Sequence, residues 1–288
     1  MNQQDNKQEV RKFYDAIGWS MESSGFYQNA RYEDLRPVSA EYIHNCHMRI
    51  TPYFRAGGRF IMDVGCGPIQ YKEYLTYSEN FSRRVCADIS ITALKEARQR
   101  IGEKGFFVVC DAANLPFAAE SMDAMVSLHT FHHLDLDDQK KAWEETYRVL
   151  KKDTVAVVVN GWTESKMMKE WQGRVEAAER LGHFIARLRG KERPASKSKP
   201  INEKAQATGT FVKKMDADWI RTNLKDLGGG RVNIDIRCWR SVSVRWLRAL
   251  IHPPYGKAVL RRLFAKEEAR PEYYGEYGQY PMIIMKKQ

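Results

Sequence analysis

Acidic residues and glycines lie at intervals that could hold a nucleoside. The segment Asp63-Val64-Gly65-Cys66-Gly67 follows an apolar run, and glycine, which has no Cβ, lets backbone amides approach a ligand closely. Asp88 ends the next strand-like segment, where a carboxylate can accept hydrogen bonds from both hydroxyls of a ribose. Gln70 replaces the last glycine of the dinucleotide pattern G-x-G-x-x-G, and the phosphate-binding Gly-Lys-Ser/Thr is absent. The spacing therefore predicts nucleoside binding.

Strands and helices alternate along this part of the chain. The strand-sized segments are Arg59–Val64, Arg84–Asp88, Phe106–Cys110, Ala124–Leu128 and Thr154–Asn160, and the helical ones include Ile91–Arg100, capped by Ser90, and Asp137–Val149. Strands that are apolar on both faces are typical of a parallel sheet covered by helices on either side. Ligands of such α/β folds bind beyond the carboxyl ends of the strands, where Asp63, Asp88 and Asp111 are placed.

These segments resemble the class I S-adenosylmethionine-dependent methyltransferases, specifically the group similar to the quinone-biosynthesis C-methyltransferases. The matching segments, in order, are Phe60–Gly67, Cys86–Ser90, Cys110–Ala112 with Leu115–Phe117, Met122–His129 and Tyr147–Lys151. The resemblance implies an α/β fold with a Rossmann-like, doubly wound sheet of seven mostly parallel strands and helical lid insertions. Its last strand, here Tyr280–Lys286, is expected to run antiparallel to the rest. The implied cofactor is S-adenosylmethionine, and the implied reaction is methyl transfer.

The resemblance also assigns roles to single residues. Asp63 would bind toward the amino group of the methionine moiety, Asp88 the ribose hydroxyls, and Asp111 the adenine amino group. The complete implied cofactor-binding set is Asp63, Gly65, Cys66, Gly67, Asp88, Ile89, Asp111, Ala112 and His129. The sequence departs from the usual D-x-G-x-G-x-G pattern at Ile69, which replaces the third glycine and is expected to crowd one side of the turn.

Histidines after the fourth strand are the candidates for proton transfer. His129 and His132 are the predicted catalytic residues, with His133 beside them, because an imidazole can take a proton near neutral pH. The alternative is that these histidines only shape the pocket. Upstream aromatic residues could close over the sulfonium cation or simply pack the N-terminal helices, and they are Tyr14, Trp19, Tyr27 and Tyr32. No metal site is predicted, because Leu128-His129-Thr130 lacks the acidic ligands of the catechol-type site.

The chain is predicted to fold around one core with additions. Residues 1–54 form an N-terminal helical lid segment, 55–162 the cofactor-binding core, and 163–214 a helical lid insertion and basic loop. The amphipathic pattern of Ser165–Arg189 predicts a long helix lying over the core, followed by the loop Lys191–Lys204. Residues 215–288 complete the core and contain a basic insertion at 238–270.

Positive charge is concentrated in the second half of the 288 residues. The formal net charge of +11 comes from −3 up to Leu150 and +14 beyond it. Residues 238–266 hold seven lysines and arginines and no acidic residue. This segment could pack on the sheet with a solvated basic face, contact an anionic membrane, clamp an anionic metabolite or follow RNA phosphates.

The acceptor is expected to be a small or lipid-linked molecule, with nucleic acid less favoured. An RNA-modifying enzyme and a non-catalytic S-adenosylmethionine-binding module remain alternatives. The polar Met1–Val10 lacks the apolar segment of a secretory signal, so a cytoplasmic location is expected, with membrane contact through 238–266 as an option. Five cysteines without C-x-x-C spacing predict reduced thiols. The sequence leaves the oligomeric state open.

Overall fold

The computed structural model describes residues 3–15, 33–188 and 211–288. Trp19, Tyr27, Tyr32 and the loop Lys191–Lys204 lie outside the described residues. The strands are β1 Gly58–Val64, β2 Phe81–Asp88, β3 Gly105–Val109, β4 Met122–Leu128, β5 Leu150–Val159, β6 Val232–Arg240 and β7 Tyr280–Lys287. The helices are α1 Gln3–Phe13, α2 Ala40–Met48, α3 Glu73–Thr76, α4 Ile91–Ile101, α5 Leu136–Val149, α6 Lys166–Leu188, α7 Ala217–Leu224, α8 Val244–Leu250, α9 Gly256–Ala269 and α10 Pro271–Tyr277.

The strands form one sheet in the order β3-β2-β1-β4-β5-β7-β6. Strands β1 to β5 pair in parallel, and β7 pairs antiparallel with both β5 and β6. The sequence prediction of a seven-stranded, mostly parallel, doubly wound sheet with an antiparallel last strand is confirmed. The order reverses between β1 and β4, so a crevice opens there beyond the strand ends.

Both faces of the sheet are covered by apolar side chains. On one face, Met125 and Val158 pack with Trp143 of α5 and Ile220 of α7. On the other, residues such as Val126 and Val157 pack with the short helix Thr51–Phe54 and with Tyr77 beyond α3. These buried faces hold the strands in register and bring their carboxyl ends to one edge.

Local signals fix the start of the helix that follows β2. Ser90 caps α4, since its hydroxyl accepts a hydrogen bond from the Ala93 amide at 3.1 Å, as predicted. Helix α4 therefore begins at Ile91, only three residues after Asp88 at the end of β2. Asp88 is buried at this strand tip.

The long helix α6 does not lie over the core as the sequence predicted. Its buried Val175, with Met168 and Trp171, packs instead against Trp246 and Leu247 of α8, and none of its residues lines the central cavity. Farther along, an apolar stripe made up of Leu181, Phe184, Ile185 and Leu188 is exposed. Amphipathicity indicates that a helix has an apolar face, but it does not indicate which element covers that face.

The basic insertion turns its apolar side inward. Trp246, Leu247, Ile251 and Leu260 are buried in a cluster with α2 and α6, so these side chains are occupied by protein contacts. The interpretation as helices that rest their apolar side on a membrane is therefore not supported. Among the described residues, no helix has the length and apolar character needed to cross a membrane. The five cysteines are free thiols, as predicted.

Candidate functional site

A cavity of about 440 Å³ opens at the carboxyl edge of the sheet, between β1 and β4 and their neighbours. This volume lies within the range of about 300–1,000 Å³ found for small-molecule sites. Every residue of the predicted cofactor-binding set lines it: Asp63, Gly65, Cys66, Gly67, Asp88, Ile89, Asp111, Ala112 and His129. His132 and His133 line it too. The fold thus brings the predicted cofactor-binding residues and the three histidines together.

Asp88 is held at the tip of β2 by backbone donors. Its Oδ2 accepts from the Gly67 amide at 2.9 Å, and its Oδ1 accepts from the Ser90 amide at 2.8 Å. Burial raises the pKa of this carboxyl to about 6, against the lowering effect of the two amides. Each oxygen accepts one described bond, and a carboxylate oxygen has capacity for another. Asp88 can therefore accept two further hydrogen bonds from a ligand.

The glycine turn needs its glycines for space. Gly65 has φ +67°, and a Cβ on it would come within 2.1 Å of Thr130 Oγ1. Ile69 also has positive φ, at 55°, which is costly for a β-branched residue. Its side chain is fully buried with Leu94 and Ala97 of α4 and does not line the cavity. The replacement of the third glycine therefore crowds the protein side of the turn and leaves the ligand side open.

Asp63 forms a buried ion pair that the sequence did not indicate. The Arg84 guanidinium on β2 donates to Asp63 Oδ2 through Nε, at 3.1 Å, and through Nη2. Its Nη1 donates to the Tyr74 carbonyl at 2.5 Å. Burial raises the pKa of Asp63, and the nearby Arg84 opposes that rise. One oxygen of Asp63 is thus committed to Arg84, and the carboxylate is fixed beneath the cavity.

Helix α1 closes the side of the cavity beside Asp111. Lys7 Nζ lies 2.5 Å from Asp111 Oδ2 and 2.6 Å from Asp138 Oδ2. Asp111 Oδ1 accepts from the Ala113 amide at 2.9 Å. A ligand amino group that donates to Asp111 would share this carboxylate with Lys7. No local pattern predicts this pair, because its members are 104 positions apart.

The histidines are partly buried among the side chains of the cavity wall. His129 packs edge-on against Trp239 and Tyr280, with ring centroids 5.1 and 5.5 Å apart. His132 Nδ1 lies 3.2 Å from Asn160 Oδ1. Burial lowers the pKa of His129 to about 3, and it also lowers that of His132 well below the ordinary value. Both imidazoles are therefore neutral near pH 7 and are weak bases.

His133 bridges two chain segments. Its Nε2 lies 2.8 Å from the Tyr14 hydroxyl and its Nδ1 lies 2.9 Å from the Phe211 carbonyl. Burial lowers the pKa of His133 to about 4. Tyr14, one of the aromatic residues singled out by sequence, thus lines the cavity and contacts a histidine.

The far end of the cavity is built from residues that sequence reasoning missed. Rings of Tyr71, Tyr74, Trp239 and Tyr280 line it. Arg240 lies with its guanidinium carbon 4.5 Å from the centroid of the Tyr280 ring. It forms a buried ion pair with Glu33, and this pairing holds the pKa of Glu33 at about 2 despite burial. This end is therefore lined by aromatic rings, and the Glu33 carboxylate and the Arg240 guanidinium neutralise each other there.

Protonation of the three histidines should destabilise the fold on acidification. Their pKa values lie below the ordinary 6.5, so the unfolded chain binds more protons and stability falls as pH drops below about 6.5. Protonation of Asp88 has the opposite effect: because its pKa is raised in the folded state, the folded state takes up this proton first and is stabilised as the pH falls below about 6. We expect each histidine to cost about 1–2 kcal/mol between pH 6.5 and 5. Urea unfolding at both pH values measures this, and His133→Gln should reduce the loss. An unchanged pH dependence in that variant would contradict the assignment.

The central segment of the chain matches a known protein family. Residues 62–158 match a family model described as a methyltransferase domain. The match confirms the resemblance to class I S-adenosylmethionine-dependent methyltransferases that the sequence predicted. The matched segment begins in β1, ends in β5 and includes Asp63, Asp88 and Asp111.

Individual proteins and solved structures are also similar to this chain. The chain is 27% identical over 168 residues to a tRNA (carboxymethyluridine(34)-5-O)-methyltransferase of Arabidopsis thaliana, covering 47% of this chain and 40% of that protein. The match therefore spans less than half of that relative. Geranyl diphosphate C-methyltransferase from Streptomyces coelicolor has a similar fold, with a TM-score of 0.53, 15% identity and 98% of each chain covered. Magnesium protoporphyrin IX methyltransferase from Synechocystis also has a similar fold, with a TM-score of 0.54 and 12% identity. The match covers 98% of this chain and 100% of that one.

Proposed function

We propose that the cavity holds S-adenosylmethionine and that the protein transfers its methyl group to a small molecule. The observation that carries the proposal is the geometry of Asp88. Two backbone amides aim this buried carboxylate, and its raised pKa reflects a site without a compensating cation. Hydroxyl donors from a ribose would satisfy it.

The other residues of the predicted set fit the same ligand. Asp111 would accept from the adenine amino group, between Ile89 and Ala112. Asp63 and His129 would lie toward the methionine moiety, together with the turn made up of Gly65, Cys66 and Gly67. These residues line one continuous cavity, and the donor and acceptor chemistry matches a nucleoside bearing an amino acid.

The bound cofactor would supply a methyl group that its sulfonium charge already activates. The acceptor atom forms a bond to that carbon while the carbon–sulfur bond breaks and its electron pair stays on sulfur. The protein's residues have to align the acceptor and exclude water, and orientation of this kind can contribute about 7–11 kcal/mol in favourable cases. The aromatic rings at the far end of the cavity would align the acceptor and would also exclude water from it.

In this proposal His129 and His132 help to position the cofactor and the acceptor and do not take a proton from the acceptor. With pKa values far below neutrality, they are poor proton acceptors. The arrangement favours an acceptor atom that is already ionised or carries a free lone pair at neutral pH, because such an atom needs no strong base.

RNA is the second candidate acceptor, favoured by the tRNA methyltransferase name of the Arabidopsis relative. The exposed side of α8 and α9 carries Arg245, Arg248, Lys257, Arg261, Arg262 and Lys266, which could contact phosphates. Part of this charge is already neutralised within the protein. Arg245 pairs with Glu179 and Arg261 pairs with Glu41, which weakens the case for RNA.

A labelled-methyl assay separates these functions. The protein is incubated with methyl-tritiated S-adenosylmethionine and a cell extract, which is then divided into small-molecule, organic-soluble and RNA fractions. We expect label in a small-molecule or organic-soluble product, and none with Asp88→Ala. Label confined to RNA would replace the proposal with the second candidate. Cofactor binding without any transfer would indicate a non-catalytic module.

A further inference from the structure

The far end of the cavity contains a cation without a carboxylate partner among the described residues. Of the cations that line the cavity, Lys7 pairs with Asp111 and Asp138, and Arg240 pairs with Glu33. For Lys214, no ion pair or side-chain hydrogen bond to another described residue is found. Its partial burial lowers the pKa of the ammonium group. An uncompensated, partly desolvated charge of this kind favours an anion.

The position of Lys214 is fixed by its backbone. The Lys213 amide donates to the His132 carbonyl at 2.7 Å, and the Thr163 amide donates to the Met215 carbonyl at 3.1 Å. The Thr163 hydroxyl also donates to the Lys214 carbonyl at 2.8 Å. These bonds tie the segment to the loop after β4 and to the chain that follows β5. Lys214 is therefore presented by a fixed backbone.

The ammonium group lies over the tip of β5. A Cβ on Gly161 would come within 3.2 Å of Lys214 Nζ, so this glycine leaves room for the side chain. The charge of Lys214 is close enough to His129 and His132 to lower their pKa values. In the sheet order, β4 and β1 lie between β5 and β2, the strand whose tip carries Asp88. Lys214 thus faces the acceptor end, away from the nucleoside-binding residues.

We infer that Lys214 binds an anionic group, a carboxylate or a phosphate, on the methyl acceptor. The inference rests on the proposed function and narrows its substrate class. The aromatic rings of Trp239 and Tyr280 beside this end would contact an adjoining flat apolar part of the acceptor. An anion is held here by a charge-assisted hydrogen bond to a partly desolvated ammonium group.

Small aromatic probes test the inference by binding alone. The protein, saturated with S-adenosylhomocysteine, is titrated calorimetrically with benzoate, phenyl phosphate and the neutral benzamide. We expect the wild type to bind at least one anion more tightly than benzamide. Lys214→Met should weaken anion binding about ten- to a hundredfold and leave benzamide unaffected, and Lys214→Arg should retain part of the affinity. The comparison of benzoate with phenyl phosphate distinguishes the two sources of negative charge.

Lys213→Met is the matched control, because Lys213 is the exposed neighbour that does not line the cavity. Equal anion affinity in the wild type and Lys214→Met, or no anion binding at all, would overturn the inference. A loss of S-adenosylhomocysteine affinity in Lys214→Met would also overturn it, by assigning the charge to the cofactor's carboxylate. Failure of the proposed function is a separate result: the wild type would not bind S-adenosylhomocysteine, while parallel titrations of the ligand-free protein would still test Lys214.

Discussion

Asp88→Ala should lower the affinity for S-adenosylhomocysteine by at least about a hundredfold. Asp88 is the carboxylate proposed to accept both ribose hydroxyls, and a hydrogen bond to a charged group contributes about 1.5–3 kcal/mol. The substitution also leaves the amides of Gly67 and Ser90 without their acceptor, so the glycine turn loses its anchor. Isothermal titration calorimetry on the folded variant measures the loss.

Asp123→Ala is the control for this experiment. Asp123 also accepts from two backbone amides, those of Arg59 at 3.0 Å and Phe60 at 2.8 Å, but near the start of β1 and away from the cavity. It should leave the affinity unchanged within about twofold. Equal losses in the two variants would mean that Asp88 acts only through the stability of the backbone, and the ribose assignment would be wrong.

Arg84→Met should lower the free energy of unfolding by about 3–5 kcal/mol, the usual cost of leaving one partner of a buried ion pair alone. Arg84 is almost completely buried and donates to both Asp63 and the Tyr74 carbonyl. Without it, the buried Asp63 would carry an uncompensated charge or take up a proton, since its pKa is raised even in the presence of the arginine. Urea unfolding followed by circular dichroism measures the change.

Two further variants isolate the pair. Arg83→Met alters the exposed neighbour on the same strand and should change stability by less than about 0.5 kcal/mol. The double variant Arg84→Met with Asp63→Leu removes both charges and should recover much of the loss. If the single and double variants are equally unstable, packing of the Arg84 side chain is what matters, and the ion-pair account fails.

The sheet could be predicted from sequence because its parallel strands are apolar on both faces, and an acidic residue lies at or close to the end of β1, β2 and β3. The same signals predict that Asp88 lies at a strand tip, where we propose that it accepts the ribose hydroxyls. Arg84 is different: the sequence predicts only that it begins the strand Arg84–Asp88, and the pairing of β1 with β2 is what puts Asp63 within its reach. The neighbouring arginine, Arg83, is in fact exposed, so residue type alone could not tell the two apart.

The walls of the cavity were beyond local sequence reasoning. Glu33 and Arg240 pair across 207 positions, and Lys214 is fixed by bonds to segments far from it in the chain. The amphipathic pattern of α6 was read correctly as a helix, but its apolar side found α8 rather than the core. Periodicity reports which side of an element is apolar, whereas tertiary packing decides what that side contacts.

Binding of S-adenosylmethionine in the cavity at the tips of β1, β2 and β3 can be measured by calorimetric titration of the wild-type protein with S-adenosylmethionine and with S-adenosylhomocysteine. We expect saturable binding of one molecule of either compound per chain, with competition between the two. A folded, monodisperse preparation that gives no saturable heat with either compound would contradict it.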